Sequence, residues 1–435
     1  MVTTFNTDKH TAYEKLHETA WKTMQLKASQ RLPAYFQQLH ATSPGTTAVL
    51  DTTENRFLRC FVAPAATKIA SLSMRPFVAL DGAHCTTPYG GVLLLAVGLD
   101  ANNETLPLAW AVVPVEDNGH WKWFLKCFTT AYPSLTTPHA VFISDRDKGL
   151  IASIQEVLPQ CHAARCCQHL ADNIATRYGA ACRPLFWSCA YAKTSASYAE
   201  ALLALRQHHA AAADWLQTID MQSWTTHAFP VARYGHLTSN IVESINSHWL
   251  DARDHAALGL LHAVWNLMAS KIYTRSQIKQ PGYICSKPAK LLNEAYGKSR
   301  PYAVTSFDQG VGSVTRGEGT YHVALPASKC SCGTYQETGI PCLHAVALCM
   351  AQKLDPEHYT APCYQATAYI QQYEQRMVPI DCEELAISDD CQVPCYQRAA
   401  GRPRKARRRI GQSASSNYTC KRCGEKGHNS RNKSC

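Results

Sequence analysis

From Arg75 the chain runs through three short apolar segments broken by turn residues: PFVALDGAH, GGVLLLAVGLDANNE and LPLAWAVVP. Gly90-Gly91 and the Asp100-Ala101-Asn102-Asn103 cluster fall where hairpin turns belong, so three consecutive antiparallel strands are predicted. HWKWFLKCFTTAY, after Asp117-Asn118-Gly119, reads as an amphipathic helix and HAVFISD as a fourth strand. LIASIQEVL is helical again, and HAARCCQHL reads as a fifth strand running into a helix. Three strands followed by helix, strand, helix, strand is an α/β order with a mixed sheet.

Around this unit, for which residues 73–169 form the first part, the pattern changes several times. Residues 1–72 are read as a helical lead-in, because Tyr13, Leu16, Ala20, Met24 and Leu26 fall roughly on one stripe. Residues 170–235 hold alanine-rich tracts such as YAEALLALRQHHAAAADWLQ and form an expected all-helical insertion. Residues 236–300 read as helices that return to the α/β unit, with Ser239 or Asn240 as N-cap. A cysteine-bearing module is expected over 310–360, a helical and acidic linker over 361–397, a basic segment over 398–411 and a second cysteine module over 417–435.

Charge is distributed unevenly. Lys and Arg number 43 against 33 Asp and Glu, but 12 of the bases, with Glu425 alone opposing them, lie from Arg398 onward. That leaves 31 against 32 in residues 1–397, a near-neutral body with a polyanion-binding tail, and disfavours a protein basic throughout. The first residues, MVTTFNTDKHTAYEKLHETAWK, lack the apolar core of a secretory signal, so the 20 cysteines are not read as a disulfide scaffold. A soluble intracellular protein with no membrane partner is expected, its cysteines partly metal ligands.

Asp81 closes the first strand and Asp145 the fourth, where both can project from one sheet edge, the place where open α/β sheets build sites. Glu243 sits in a helix beginning near Ser239, which the fold must bring over that edge. Three convergent carboxylates suit hard divalent cations, magnesium or manganese, and two ions about 4 Å apart would serve phosphoryl transfer. Asp117 and Asp147 remain rivals for the second position on spacing alone. The plainer role for each acid is a turn cap or a helix-start charge.

The segments ENRFLRCFVAP, RPFVALDGAHCTTPYGGVLLLAVGLDANNETLPLAWAVVPVEDNGHWKWFL, FISDRDKGL, RCCQHLADNI and TSNIVESINS together resemble the transposase domain of Mutator-like elements, over roughly residues 9–300. The resemblance implies an RNase H-like fold whose acidic triad performs DNA cleavage and strand transfer, a DDE-type transposase. It carries the triad onto Asp81, Asp145 and Glu243, preferring Asp145 to Asp147 because the family pattern retains the Asp followed by Arg. Cys166 and His169 match the family's C-x-x-H element and are expected to organise the site or contact DNA. The implied partners are double-stranded DNA, namely element terminal inverted repeats and target, with a homo-oligomer assembled on DNA in the nucleus. A domesticated, transposase-derived transcription regulator that binds DNA without cutting it is the alternative.

Cys330, Cys332, Cys342 and His344 supply three thiolates and an imidazole in a short segment, a complete tetrahedral zinc set. Their surroundings resemble the SWIM zinc finger, with a structural zinc and a role in DNA or protein binding. Cys420, Cys423 and His428 open a C-x2-C-x4-H zinc knuckle, for which Cys435 is the available fourth ligand; the wider spacing to Cys435 departs from the usual knuckle. Such knuckles favour single-stranded nucleic acid, and an RNA-binding protein would account for the tail alone. In GRPRKARRR, Pro403 keeps the backbone extended. Arg402 and Arg404 can then lie along a narrow minor groove, with Lys405, Arg407, Arg408 and Arg409 on phosphates, or the run can act as a nuclear import signal.

Overall fold

A computed structural model describes residues 23–395 apart from 88, 89, 146, 147 and 383. The chain divides into units 1–397 and 398–435. The expectations for Arg402 to Arg409 and for Cys420, Cys423, His428 and Cys435 lie outside the described residues, as does Asp147.

The three apolar runs form the centre of a seven-stranded sheet. They are β3 (Phe77–His84), β4 (Val92–Leu99) and β5 (Thr105–Val113), each antiparallel to the next. β4 is buried at every position and β5 at all but its first, so both pack on two faces, as their unbroken apolar sequences demand. β6 (Val141–Ser144) joins β3 in parallel, and β7 (His162–Arg165) joins β6 in parallel. The order β5-β4-β3-β6-β7 is thus the mixed α/β sheet expected from the sequence.

Two further strands extend it. β1 (Thr47–Thr53) and β2 (Arg56–Ala63) lie inside the stretch read as a helical lead-in, and β2 pairs with β5. Helix is present before them, over 23–30 and in α1 (Leu32–Thr42), but the helical stripe does not continue past it. Glu54 and Asn55 both take positive φ (51° and 56°), and Thr53 pairs with Arg56 across them. That is the two-residue hairpin turn whose twist matches paired strands. β-Branched and aromatic residues in TAVLDTT and RFLRCFVA then favour the sheet.

Asp117 caps α2 (Asn118–Ala131) by accepting from the His120 amide at 2.8 Å. The helix buries Trp121, Phe124, Leu125 and Phe128, with Phe124 edge-on to Phe61 of β2 and Phe128 edge-on to Phe142 of β6. Each such aromatic, fully buried, contributes about 2–3 kcal/mol.

Between Cys167 and Gln217 lie four helices: α3 (Cys167–Tyr178), α4 (Cys182–Tyr191), α5 (Ser195–His208) and α6 (Ala210–Gln217). Their own core centres on Trp224, stacked on Phe186 at 5.3 Å. The chain then returns through α7 (Asn240–His248) and α8 (Ala257–Ser276) to the sheet's core.

A second sheet of four strands follows: β8 (Ala303–Asp308), β9 (Val311–Arg316), β10 (Gly319–Ala324) and β11 (Lys329–Cys330). α9 (Thr334–Thr338) and α10 (Leu343–Ala351) complete this module, so the strand-before, helix-after reading agrees with the structure. The residues after it are more than a linker. Tyr369, Tyr373, Met377, Ile380, Leu385 and Cys391 belong to the main core. Tyr373 Oη donates to Asp100 at 2.6 Å, and Arg275 reaches both the Tyr373 hydroxyl (2.9 Å) and Asp100 (3.3 Å). These anchors come from far along the chain and leave no periodic trace in the 361–397 segment. Among the described residues no helix is long and apolar enough to cross a membrane.

Candidate functional site

Asp81 is the fifth residue of β3 and half-buried. The β3–β6 register pairs Phe77 with Val141 and Ala79 with Ile143, and continuing it two residues brings Asp145 level with Asp81. Adjacent parallel strands thus present the two acids side by side. Glu243 enters from above, in the first turn of α7, where the Ser239 hydroxyl donates to its carboxylate at 3.3 Å. One turn later Asn246 Nδ2 donates to Asp81 Oδ2 at 2.7 Å, which fixes α7 over the sheet edge. Arg253 holds the far end of α7, bonding the carbonyls of His84 (3.1 Å) and Asn246 (3.3 Å), and Trp249 sits edge-on to Trp110 of β5.

A further acid that spacing did not single out lies against Gly82, on the face of β3 opposite the Asp81 side chain. Glu116 follows β5 and accepts from Trp121 Nε1 at 3.2 Å. Asp117, one of the rivals for the second position, is spent on the cap of α2 and on His120 Nδ1 at 2.8 Å, which with neighbouring amides keeps its carboxyl below the ordinary value despite burial. Burial pushes Asp81 up to about 7, with the charges of Asp145, Glu116 and Glu243 adding to the rise and the Asn246 hydrogen bond opposing it.

Cys166 stands at the junction of β7 and α3. Its amide bonds Ser144 at the end of β6 (2.8 Å), and its sulfur accepts from the Ser239 amide (3.3 Å), so it ties the strand bearing Asp145 to the start of α7. His169 faces it, its Nδ1 buried without a partner. Cys166 and His169 are coupled through a side-chain hydrogen bond and through charge. His169 is pushed up to about 9, first by the Cys166 sulfur and further by Asp145 and Glu243, against burial. Burial raises the Cys166 thiol, but His169 and Ser239 outweigh it and leave it below its ordinary value. Among the described residues the pair has no further ligands to complete a zinc set.

The carboxylates do fit hard cations. All are oxygen donors, and the Asn246 carbonyl oxygen, on a side chain fixed against Asp81, is buried with no hydrogen-bond partner.

A pH dependence follows for the metal-free protein. With a folded pKa of about 7 against 3.8 unfolded, Asp81 burdens the folded state progressively as pH rises from about 4 to 7, by about 4 kcal/mol at the limit. Asp81→Asn is expected to melt several degrees above wild type at pH 8 without divalent ions, the difference vanishing near pH 4. Thermal melts across pH measure this, and equal melting points at pH 8 would contradict it.

In the second module, Cys330, Cys332, Cys342 and His344 converge with all four ligand atoms within 4.8 Å of one another. Cys332 and Cys342 sulfurs are 3.6 Å apart, and Cys330 lies 3.6 Å from His344 Nδ1. A tetrahedral zinc with bonds near 2.3 Å to sulfur and 2.0 Å to nitrogen sets ligands about 3.5–3.8 Å apart, so the residues fit it. His344 stacks on Tyr321 at 3.7 Å and meets Tyr302 edge-on at 5.1 Å, which sets its ring plane. Hydrogen bonds from Cys330 and Cys342 drive Cys332 toward thiolate.

Residues 77–173 match the family model of the MULE transposase domain, and residues 321–353 match that of the SWIM zinc finger. No curated protein matches the chain. The chain therefore carries a MULE transposase domain on a mixed α/β fold, followed by a SWIM zinc finger whose cluster supports a structural zinc. The first match contains Asp81 and Asp145; Glu243 lies beyond it and is brought to them by α7.

Proposed function

We propose that the protein is a DNA transposase of the Mutator-like class, a DDE-type enzyme that cleaves DNA at element ends and transfers strands to a target. One observation carries this reading. Asp81, Asp145 and Glu243, from two adjacent parallel strands and a helix 98 residues further on, gather at one sheet edge of a MULE transposase domain. Glu243 lies outside the matched residues 77–173, and the helix that carries it is held to Asp81 by Asn246.

Asp81, Asp145 and Glu243 would hold the catalytic ions. Magnesium or manganese bound there supplies Lewis acidity to the attacking and leaving oxygens of phosphoryl transfer. Asn246 orients the Asp81 carboxylate through its hydrogen bond. His169, cationic at neutral pH, offsets the charge of Asp145 and Glu243 and keeps a proton beside the edge. Water would attack phosphorus at the element end and displace the 3′ oxygen of that strand, and the 3′ hydroxyl so released would attack a target phosphodiester and displace the target's 3′ oxygen, which leaves as a hydroxyl. The basic run from Arg402 to Arg409 would neutralise backbone phosphates and give the salt-sensitive part of the affinity. The knuckle would engage single strands exposed during transfer. Action on chromosomal DNA places the protein in the nucleus, and pairing of two element ends calls for a homo-oligomer.

The test joins DNA directly. The DNA on either side of the gene is searched for terminal inverted repeats, and duplexes bearing them are incubated with zinc-loaded full-length protein, manganese and a supercoiled plasmid. Covalent joining of the duplex 3′ end to the plasmid is expected. Tight binding of the repeats with neither cleavage nor joining would replace this reading with that of a DNA-binding regulator.

A further inference from the structure

α8 carries His262 and Asn266 one turn apart on one face, and Cys382, from the segment that returns to the main core, lies against them. Cys382 Sγ is 3.1 Å from His262 Nδ1, and Asn266 Nδ2 is 2.9 Å from His262 Nε2. A sulfur within reach of an imidazole whose far nitrogen is steadied by a third side chain is the arrangement in which a general base activates a thiol. Asn266 Oδ1 is buried without a partner. An asparagine amide fills the same space either way round. With Oδ1 toward the ring it accepts from Nε2–H, which leaves Nδ1 as the acceptor for the thiol proton.

An independent observation comes from α1. Tyr35 is 1% exposed and its hydroxyl is buried without a hydrogen-bond partner, and Arg31 Nε, one turn earlier, is buried and unpartnered as well. Both are coupled by charge to Cys382: a negative sulfur there weighs on the Tyr35 phenol ahead of that of Cys60, and the Arg31 charge acts on the Cys382 thiol. Two buried donors near one sulfur thus lack an acceptor, and each unmade bond costs about 1–3 kcal/mol. An oxygen atom added to Sγ supplies that acceptor. Burial, with Asp381 adding to it and Arg31 opposing, pushes the Cys382 thiol up to about 11, so the sulfur rests protonated and its proton must leave as it attacks.

We propose that Cys382 is a site of modification by hydroperoxides, oxidised to a sulfenic acid with His262 as the base and with Tyr35 Oη and Arg31 Nε donating to the oxygen it gains. Sγ attacks the terminal O–H oxygen of the peroxide as its own proton passes to His262 Nδ1. The S–O bond forms and the O–O bond breaks. The second oxygen takes the proton from His262 and leaves as water or, from an organic peroxide, as an alcohol. The sulfur loses two electrons and the peroxide gains them. This chemistry uses none of the sheet-edge acids and stands independently of the transposase reading. The dyad joins residues 120 positions apart, which no spacing rule picks out.

Cys127 and Cys161 are part-buried thiols that burial likewise pushes up to about 11, and among the described residues neither is hydrogen-bonded to an imidazole, so they serve as internal controls. The zinc-loaded full-length protein is treated with hydrogen peroxide, sulfenic acids are trapped with dimedone, and labelling is followed peptide by peptide. Cys382 is expected to label at least about ten-fold faster than either control, and to slow by about ten-fold or more in His262→Gln and several-fold in Tyr35→Phe. Loosened packing would expose the sulfur and speed its labelling, so slowing reads the chemistry of the site and not a structural defect. If His262→Gln does not fold, the comparison of the three thiols within wild type still decides. Labelling of Cys382 no faster than the two controls, or a rate unchanged in either variant, would overturn the proposal.

Discussion

Asp81→Asn, Asp145→Asn and Glu243→Gln are each expected to slow DNA cleavage by at least about 1,000-fold, about 4 kcal/mol of transition-state stabilisation. The amide conserves size and polarity but removes the negative charge that holds a divalent cation, so the loss falls on chemistry. Asp81 is the most consequential of the three. It stands between Asp145 on the neighbouring strand and Asn246 on α7, and replacing it removes the carboxylate that links the two. Affinity for duplex DNA should stay within about two-fold, because phosphate contacts rest on basic groups elsewhere. Single-turnover cleavage and fluorescence anisotropy on the same DNA separate the two effects. A parallel fall in binding would show that the acids maintain the DNA-binding surface instead.

Removing zinc is expected to produce a comparably large effect on stability. Structural zinc in small modules is linked to folding by on the order of 10 kcal/mol, and the SWIM core is built around its ligands, with Cys330, Cys342 and their neighbours Tyr335 and Ala345 buried together. Chelation or Cys342→Ser should therefore unfold β8 to α10. The damage should travel further, because this module is bound to the helical insertion. Arg233, fully buried, lies 4.0 Å from Glu337 of α9, and Lys193 Nζ donates to Thr334 at 2.8 Å. Gly333 presses on Lys193 so closely that a Cβ would stand 2.8 Å from its carbonyl. Leaving Arg233 buried beside a disordered partner would cost a few kcal/mol more. Limited proteolysis with and without chelator is expected to open both the SWIM segment and residues 167–223. Cuts confined to the SWIM segment would show that the insertion stands without it.

The parts of this molecule that were legible in the sequence are those whose signals are local. β3, β4 and β5 show as apolar runs because strands buried on both faces carry no polar alternation, and Gly90-Gly91 and Asn102-Asn103 mark their turns. The SWIM ligands show because zinc needs four soft donors within a short span. Asp145 was readable as a strand-end acid, whereas Asp81, read as closing its strand, lies in the middle of β3, which runs on to His84 paired with β4; their level placement follows from the parallel register of β3 and β6.

Other features depend on contacts between distant segments. β1 and β2 hinge on positive φ at Glu54 and Asn55, residues that do not announce a hairpin as Asn-Gly would. Residues beyond 361 join the core through Tyr373 and Gln372, the latter accepting from the Ala101 amide at 2.8 Å and donating to the Ser73 carbonyl at 3.1 Å. These are pairings across more than 270 positions, invisible to periodicity. Glu116 was passed over beside Asp117 for a related reason. Which of two adjacent acids caps the helix and which faces Gly82 is decided by backbone direction at the end of β5, and composition is the same either way.

The most direct measurement of the central claim is nicking of supercoiled plasmid by the zinc-loaded full-length protein in magnesium, in manganese and with neither, alongside Asp81→Asn and Glu243→Gln. Relaxed circles that require a divalent ion and disappear in both variants are predicted. Nicking that persists in Asp81→Asn, or DNA bound by wild type but left intact in manganese, would contradict a carboxylate-held metal centre at this sheet edge.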